Sequence, residues 1–325
     1  MKASRRAPAR FDEARAVALF TRTFQRGSRA AITLGIGDDA AVLEPPGLPL
    51  VLTVDASVEG THFERSWLEL EDVGARAFEA ALSDLAAMGA RPLAALSALN
   101  LPRGFSAREL ERLTRGQADA ARRCRCPIVG GNVARGPSLS VTTVALGLAK
   151  HPLTRAGARV GDECWLVGDV GLAAAGLALL RRRRVRLDAG AARCVEAWRR
   201  PRALLTRGLA LAGVARAAID VSDGLAGDAG RLAAASGCRL LIEEQALRRA
   251  LPRGLAAAAA ALGRDPLELA LLGGEDYALV VAGPSDRRPR WARRIGRFTR
   301  GRGGYLERAD GTRLPLGSGF DHFRP

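Results

Sequence analysis

Four short stretches of this 325-residue chain place carboxylates where the backbone turns or an apolar run ends. The fullest spans residues 35–63, GIGDDAAVLEPPGLPLVLTVDASVEGTHF. It sets Asp38 and Asp39 side by side on a glycine-rich turn, Asp55 directly after the apolar run VLTV, and His62 beyond. Asp84 follows within ALSDLAAMGA, Asp220 and Asp223 flank Val221 and Ser222 in IDVSDGL, and Glu275 and Asp276 follow Gly273-Gly274. A carboxylate taken out of water is costly unless a cation or hydrogen-bond donors receive it. Oxygen ligands of this kind suit a hard divalent cation such as Mg²⁺, which commonly brings phosphates with it. Acids on both halves of the chain would repel a polyanion, and divalent cations reverse that by bridging carboxylate to phosphate oxygen. The chemistry expected is metal-dependent handling of a nucleoside triphosphate or another phosphoester. The plainer alternative for the first stretch is a solvated acidic turn, and for Asp223 a helix N-cap.

The elements that must position these residues alternate between helix and strand. Apolar spacing predicts a helix near residues 11–24, a strand over 50–54 and a helix over 70–88, the last stopped by Gly89 with Pro92 beyond. A strand over 93–99 and a helix from Ser106 follow, Ser106 and Glu109 forming a capping box. Gly130-Gly131-Asn132 then leads toward a strand over 140–149, a place where backbone can approach a ligand closely. Residues 150–162 are turn-like and polar and include Arg155, so the expected division is 1–150 and 151–325. In the second half a strand at 164–167 precedes helices over 172–182, 190–199, 201–211 and 225–235, and a further strand is expected at 278–282. The tail LGSGFDHF suits a lid or an edge better than a core.

Composition narrows the class. At 48% hydrophobic and 26% charged residues, with no run of 18 uncharged apolar residues, the chain reads as globular with no membrane partner. The basic start MKASRRAPAR has no apolar stretch behind it, which argues against a signal peptide. Five scattered cysteines, of which only Cys124 and Cys126 are close, lack zinc-site spacing and point to a reduced, cytoplasmic location. The net charge of +16 is an arginine bias spread along the whole chain, with Lys2 and Lys150 the only lysines. With 5% aromatics there is no stacking platform, and no nucleic-acid partner is expected. No G-x-x-x-x-G-K-[ST], no kinase HRD and DFG set, no G-x-S-x-G and no H-E-x-x-H occurs.

Taken in order, GIGDDAAV, TVDASVEGTHF, LSDLAAMGA, GGNVARGP, LTRAGARVGD, IDVSDGL, GGEDYAL and GFDHF resemble the motif series of the thiamine-monophosphate kinase family, within the aminoimidazole-ribonucleotide-synthetase superfamily. The resemblance covers nearly the full chain. It implies a two-domain α/β, PurM-like fold whose N-terminal sheet pairs with that of a second subunit in a homodimer barrel, with a C-terminal α/β domain packed over it. It further implies Mg²⁺ and ATP as cofactor and co-substrate, and thiamine phosphate as acceptor in direct in-line transfer without a dedicated general base. Matched position by position, Asp39, Asp55, Asp84, Asp220 and Asp223 correspond to metal-binding aspartates, with Thr53 and Val54 as further metal contacts. Gly130, Gly131, Arg155 and Ser222 correspond to ATP contacts, and His62 and Glu275 to substrate contacts. Two departures stand out: Asn132 occupies a metal-ligand Asp position, and the tail reads Gly317 and Phe320 where the family pattern has Trp and Tyr in contact with substrate. An amide oxygen still coordinates Mg²⁺ but supplies no charge, so altered Mg²⁺ dependence is expected. The alternatives are another ATP-using member of the superfamily and a non-catalytic nucleotide-binding paralogue.

Overall fold

The computed structural model describes residues 32–34, 41–43, 47–182, 189–317 and 319–320. The helix expected near residues 11–24, the Asp38-Asp39 pair and the last five residues lie outside these. The first sheet comprises β1 (Ile32–Leu34), β2 (Ala41–Leu43), β3 (Leu50–Val58), β4 (Arg91–Leu101), β5 (Ile128–Arg135) and β6 (Ser140–Leu148), in the order β1-β2-β3-β6-β4-β5. All of its pairings are antiparallel except β4 with β5. Helices α1 (Leu70–Ala87) and α2 (Ala107–Cys124) belong to this half. The Ser106–Glu109 capping box is formed as expected: the Ser106 hydroxyl accepts from the Glu109 amide, and the Glu109 carboxylate accepts from the Ser106 amide.

The second sheet comprises β7 (Glu163–Val167), β8 (Ala217–Asp220), β9 (Arg239–Glu243), β10 (Leu279–Gly283), β11 (Arg293–Thr299), β12 (Gly304–Glu307) and β13 (Arg313–Pro315). Its order is β13-β12-β9-β11-β7-β10-β8. Its helices are α3 (Leu172–Arg181), α4 (Ala189–Arg199), α5 (Leu205–Leu211), α6 (Leu225–Ala235), α7 (Glu244–Ala250), α8 (Leu255–Leu262) and α9 (Pro266–Leu272).

Helix α1 holds the two halves together. All of its residues except Glu71, Ala75 and Asp84 are buried, because it lies between the sheets instead of on one. One apolar cluster joins Val51 and Ala145 of the first sheet, Leu85 and Met88 at the end of α1, and Trp165 and Val281 of the second sheet. On its other flank α1 meets α2 at glycines: a Cβ on Gly74 would fall 2.1 Å from the Leu113 carbonyl oxygen, and one on Gly116 1.9 Å from that of Glu71. The backbones touch there, and only glycine permits it.

A buried helix with this many charges must satisfy each one. Asp72 receives Arg200, and Glu79 receives Arg123 and the Ala203 amide, so part of α1's charge goes to stitching the second half onto the first. Glu71, not buried, pairs with Arg112 of α2, and the remaining charged residues, Arg76 and Asp84, point elsewhere.

Candidate functional site

Between the sheets lies a cleft of about 670 Å³. Arg76, Ala80 and Asp84 line it as one stripe of α1, four residues apart and therefore on one helical face. Strand β3 supplies the facing wall. Its residues alternate, and Val51, Thr53 and Ser57 are buried toward α1, so Asp55 shares their face. The apolar run was expected to stop before Asp55, but the strand runs on to Val58 and Asp55 sits within it. Period-two alternation continues through the polar residues Asp55 and Ser57, which turns the core face of the strand into a cleft wall.

The acids gather as expected: Asp55, Asp84, Asp220 and Asp223 all line this cleft, with His62, Val54, Ser222, Glu275 and Phe320. Asp84 accepts from the Thr53 hydroxyl, and Asp220 accepts from the Ser83 hydroxyl at 2.8 Å, each bond tying one element to its neighbour. Thr53 therefore stands behind Asp84 and is not itself part of the lining. Burial raises the Asp55 carboxyl above its ordinary range, against the lowering influence of His62, the Ala56 amide and Arg76. Among the described residues no arginine forms an ion pair with Asp55. His62 Nδ1 accepts from the Val58 amide at 3.1 Å, which leaves the proton of a neutral ring on Nε2.

Asp223 is not an N-cap. The cap of α6 is Gly224, and the Asp223 carboxylate pairs with Arg231, which also reaches the buried Asp228. The segment after α9 runs back along residues 221–222, the Glu275 amide donating to the Ser222 carbonyl at 2.7 Å and the Tyr277 amide to the Val221 carbonyl at 2.9 Å. Glu275 and Tyr277 hold left-handed backbone (φ 67° and 50°), a conformation costing on the order of 1 kcal/mol or more in a non-glycine residue. The two neighbouring acids then part company. Asp276 turns away and accepts from the Gly171 and Ala173 amides at 2.6 and 2.9 Å, capping α3; burial pushes its carboxyl up to about 7. Glu275 faces the cleft.

Three side chains that sequence reading passed over shape this end of the cleft: Arg76, Trp67 and Trp198. The Arg76 guanidinium donates to the Glu275 carboxylate and to the Trp198 carbonyl, and lies 4.6 Å from the centroid of the Trp198 ring. The Trp198 indole donates to the other Glu275 oxygen at 2.8 Å. Glu275 was expected as an acidic neighbour of a cationic substrate, but both its oxygens are taken and its charge is matched by Arg76. The available signal for Arg76 was its place on a buried helix, eight residues before Asp84.

Four expected residues and the tail glycine lie off the cleft wall. Gly130, Gly131 and Asn132 are exposed on β5, the sheet edge, three interstrand steps or about 14 Å from β3. A Cβ on Gly131 would fall 1.8 Å from the Ser97 carbonyl oxygen, so what approaches this glycine is the neighbouring strand β4. Arg155 lies in the loop before β7, where its carbonyl accepts from the Ser236 hydroxyl at 2.8 Å. Gly317 packs close to Leu272, and Phe320, half exposed at the cleft, is anchored by its amide on the Asp223 carbonyl at 2.8 Å, an edge position as expected of the tail. Asp39 lies outside the described residues. Among the described residues no three of His, Cys, Asp or Glu stand close enough to hold one metal ion.

The geometry has close counterparts in known proteins. Residues 37–149 match the family model of the AIR synthase related protein, N-terminal domain. The thiamine-monophosphate kinase of Aquifex aeolicus is 33% identical over 293 residues, covering 89% of this chain and 92% of that protein. The chain belongs to the thiamine-monophosphate kinase family. A solved structure of AaThiL complexed with AMPPCP and TMP matches at a TM-score of 0.88 and 31% identity, covering 98% of this chain and 100% of the other. The hydrogenase maturation protein HypE shares the PurM-like α/β fold, at a TM-score of 0.67 and 22% identity over 92% of this chain. Family membership accounts for the position of the carboxylates, since the cleft that gathers them is the space between the two sheets of that fold.

Proposed function

We propose that the chain is an ATP-dependent kinase that phosphorylates thiamine monophosphate to thiamine diphosphate. The observation that carries this reading is the full-length match to a relative's complex with AMPPCP and TMP, set beside four carboxylates of this chain converging in one cleft. The donor set suits Mg²⁺: Asp55, Asp84, Asp220 and Asp223 offer hard oxygens, and Asp55 is a half-buried carboxylate that no described arginine pairs with. Bound there, Mg²⁺ would neutralise phosphate charge as it builds up in the transition state. The chain's own part is positioning. Thr53 orients Asp84 and Ser83 orients Asp220, fixing both carboxylates before any ligand arrives, and the cleft walls screen the reacting phosphates from water. The acceptor phosphate is anionic near neutral pH, so no side chain has to remove a proton.

Residues 1–150 form the nucleotide and metal half in this reading and 151–325 the half that closes over it. Asp39 would join the metal ligands, with Val54 contributing its backbone oxygen. Ser222 would contact the nucleotide within the cleft, Gly130 and Gly131 on β5 and Arg155 in the loop before β7 would contact it beyond, and Asn132 would stand at a metal position. His62 would contact the acceptor. Five free cysteines, four of them buried, agree with a reduced cytoplasmic setting. Incubation with ATP, Mg²⁺ and thiamine phosphate should yield thiamine diphosphate and ADP by chromatography; conversion of unphosphorylated thiamine instead, or no product despite nucleotide binding, would overturn the reading. Asn132→Asp adds a charge to the metal site and should lower the Mg²⁺ concentration giving half-maximal rate by about threefold to tenfold. An unchanged Mg²⁺ titration would remove Asn132 from the site.

The same reading includes a homodimer through the first sheet. Its face away from α1 carries the cross-strand row Val54, Val144 and Leu96. Among the described residues nothing covers Val54, which is 64% exposed, and Leu96 beside Val144 is 39% exposed. An apolar sheet face of this size suits a second copy of itself. Leu96→Asp, in the middle of that face, should convert the dimer to monomer in sedimentation velocity at micromolar protein, with the far-UV spectrum unchanged.

A further inference from the structure

Two arginines stand over tryptophan rings in the lining of the cleft, and they are held very differently. Arg76 is buried, and its guanidinium is bound by the Glu275 carboxylate and the Trp198 carbonyl. Arg181, at the exposed C-terminal end of α3, has its Cζ 5.8 Å from the centroid of the Trp67 ring, and no described carboxylate pairs with it. Its neighbour Arg182 is clasped by the carbonyls of Ala261 and Leu262. The cation over Trp198 is therefore locked, and the one over Trp67 is exchangeable.

The cleft has two kinds of lining. Phe63, Trp67, Leu177 and Trp198 belong to one apolar cluster, the two indoles meeting edge-on at 6.2 Å and 63°, and four aspartates line the same cleft. The acceptor assigned above has two matching parts, a planar thiazolium cation with an aminopyrimidine ring and a phosphate. Phosphate belongs with the acids and their metal, which leaves the rings to the tryptophans. Glu275 offers the cation little, because Arg76 already matches its charge. An electron-rich indole face is the remaining attractor for a ring cation. Resting on the kinase reading, we propose that the Trp67 ring is the seat of the substrate's thiazolium and that the Arg181 guanidinium is a stand-in for it, released when the substrate enters. Trp67 then selects for the positive charge of the acceptor.

The test is calorimetric titration of the intact protein, supplied with Mg²⁺ and a non-hydrolysable ATP analogue. The ligands are thiamine phosphate and its thiophene isostere, in which a neutral carbon replaces the quaternary nitrogen. Trp67→Leu should weaken thiamine phosphate about tenfold and the isostere by less than about threefold, with Trp67→Phe between. Arg181→Met, an exposed change with no bearing on folding, should tighten thiamine phosphate about twofold to threefold by removing the competing cation. Equal losses for both ligands in Trp67→Leu, or weaker binding in Arg181→Met, would overturn the proposal. A wild-type protein that binds nucleotide but not thiamine phosphate would overturn the kinase reading, and the proposal with it.

Discussion

Asp55→Asn lowers phosphoryl transfer by about a hundredfold to a thousandfold while leaving the fold intact and the free protein slightly more stable. The two effects share one cause. Asp55 lies among inward-facing residues of β3, and burial holds its carboxyl above the ordinary range. Near neutral pH its ionised form costs folding energy that a neutral amide of the same size does not. The same charge, fixed where phosphates and cations meet, is a preorganised electrostatic group of the kind whose loss lowers turnover by two to three orders of magnitude. The sign with pH follows from linkage. A carboxyl whose folded pKa is raised binds its proton first in the folded state, so its destabilising effect is absent below the unfolded value near 3.8 and grows as pH rises through the folded one. The stability advantage of Asp55→Asn, read by urea unfolding without metal or nucleotide, should therefore shrink as the solution is acidified. Turnover near the wild-type value would remove Asp55 from the site, and an advantage that grew in acid would contradict its burial as a charged group.

Much of the fold was legible where a local rule decides. The bounds of α1 follow from helical spacing ending at Gly89, and the capping box at Ser106 is a two-residue chemistry that needs no tertiary partner. The acids were legible as a set because carboxylates after apolar runs have few other uses, and Asp55, Asp84, Asp220 and Asp223 do converge. Division within a pair was not legible. Glu275 and Asp276 are adjacent in sequence, yet left-handed backbone at Glu275 and Tyr277 sends one to the cleft and the other to the start of α3. Nor was the Gly130-Gly131 pair, whose glycines serve contact with β4, because strand order and not composition decides what a glycine faces. Arg76 and Trp198 were invisible for a related reason: they lie 122 residues apart, and neither carries a recognisable motif.

Arg76→Met destabilises the protein by about 3 kcal/mol and blunts catalysis at the acceptor end. The guanidinium is 2% exposed and answers to three neighbours: the Glu275 carboxylate, the Trp198 carbonyl and the face of the Trp198 ring. Methionine fills most of the volume, so the loss is chiefly electrostatic. It leaves Glu275 with the Trp198 indole alone, and breaking one side of a buried pair typically costs a few kcal/mol, since the other charge stays behind. Lysine restores the charge but not the planar fork that reaches carboxylate and carbonyl together, so Arg76→Lys should recover about half of the stability. Because Arg76 sits on α1, Trp198 on α4 and Glu275 beside the IDVSDGL segment, this one side chain sets the spacing of the walls that would clasp the acceptor rings. The kinetic signature separates positioning from general loosening: KM for thiamine phosphate should rise about tenfold in the Lys variant while KM for ATP moves by less than about twofold. Parallel changes in both constants would mean that Arg76 only holds the fold together.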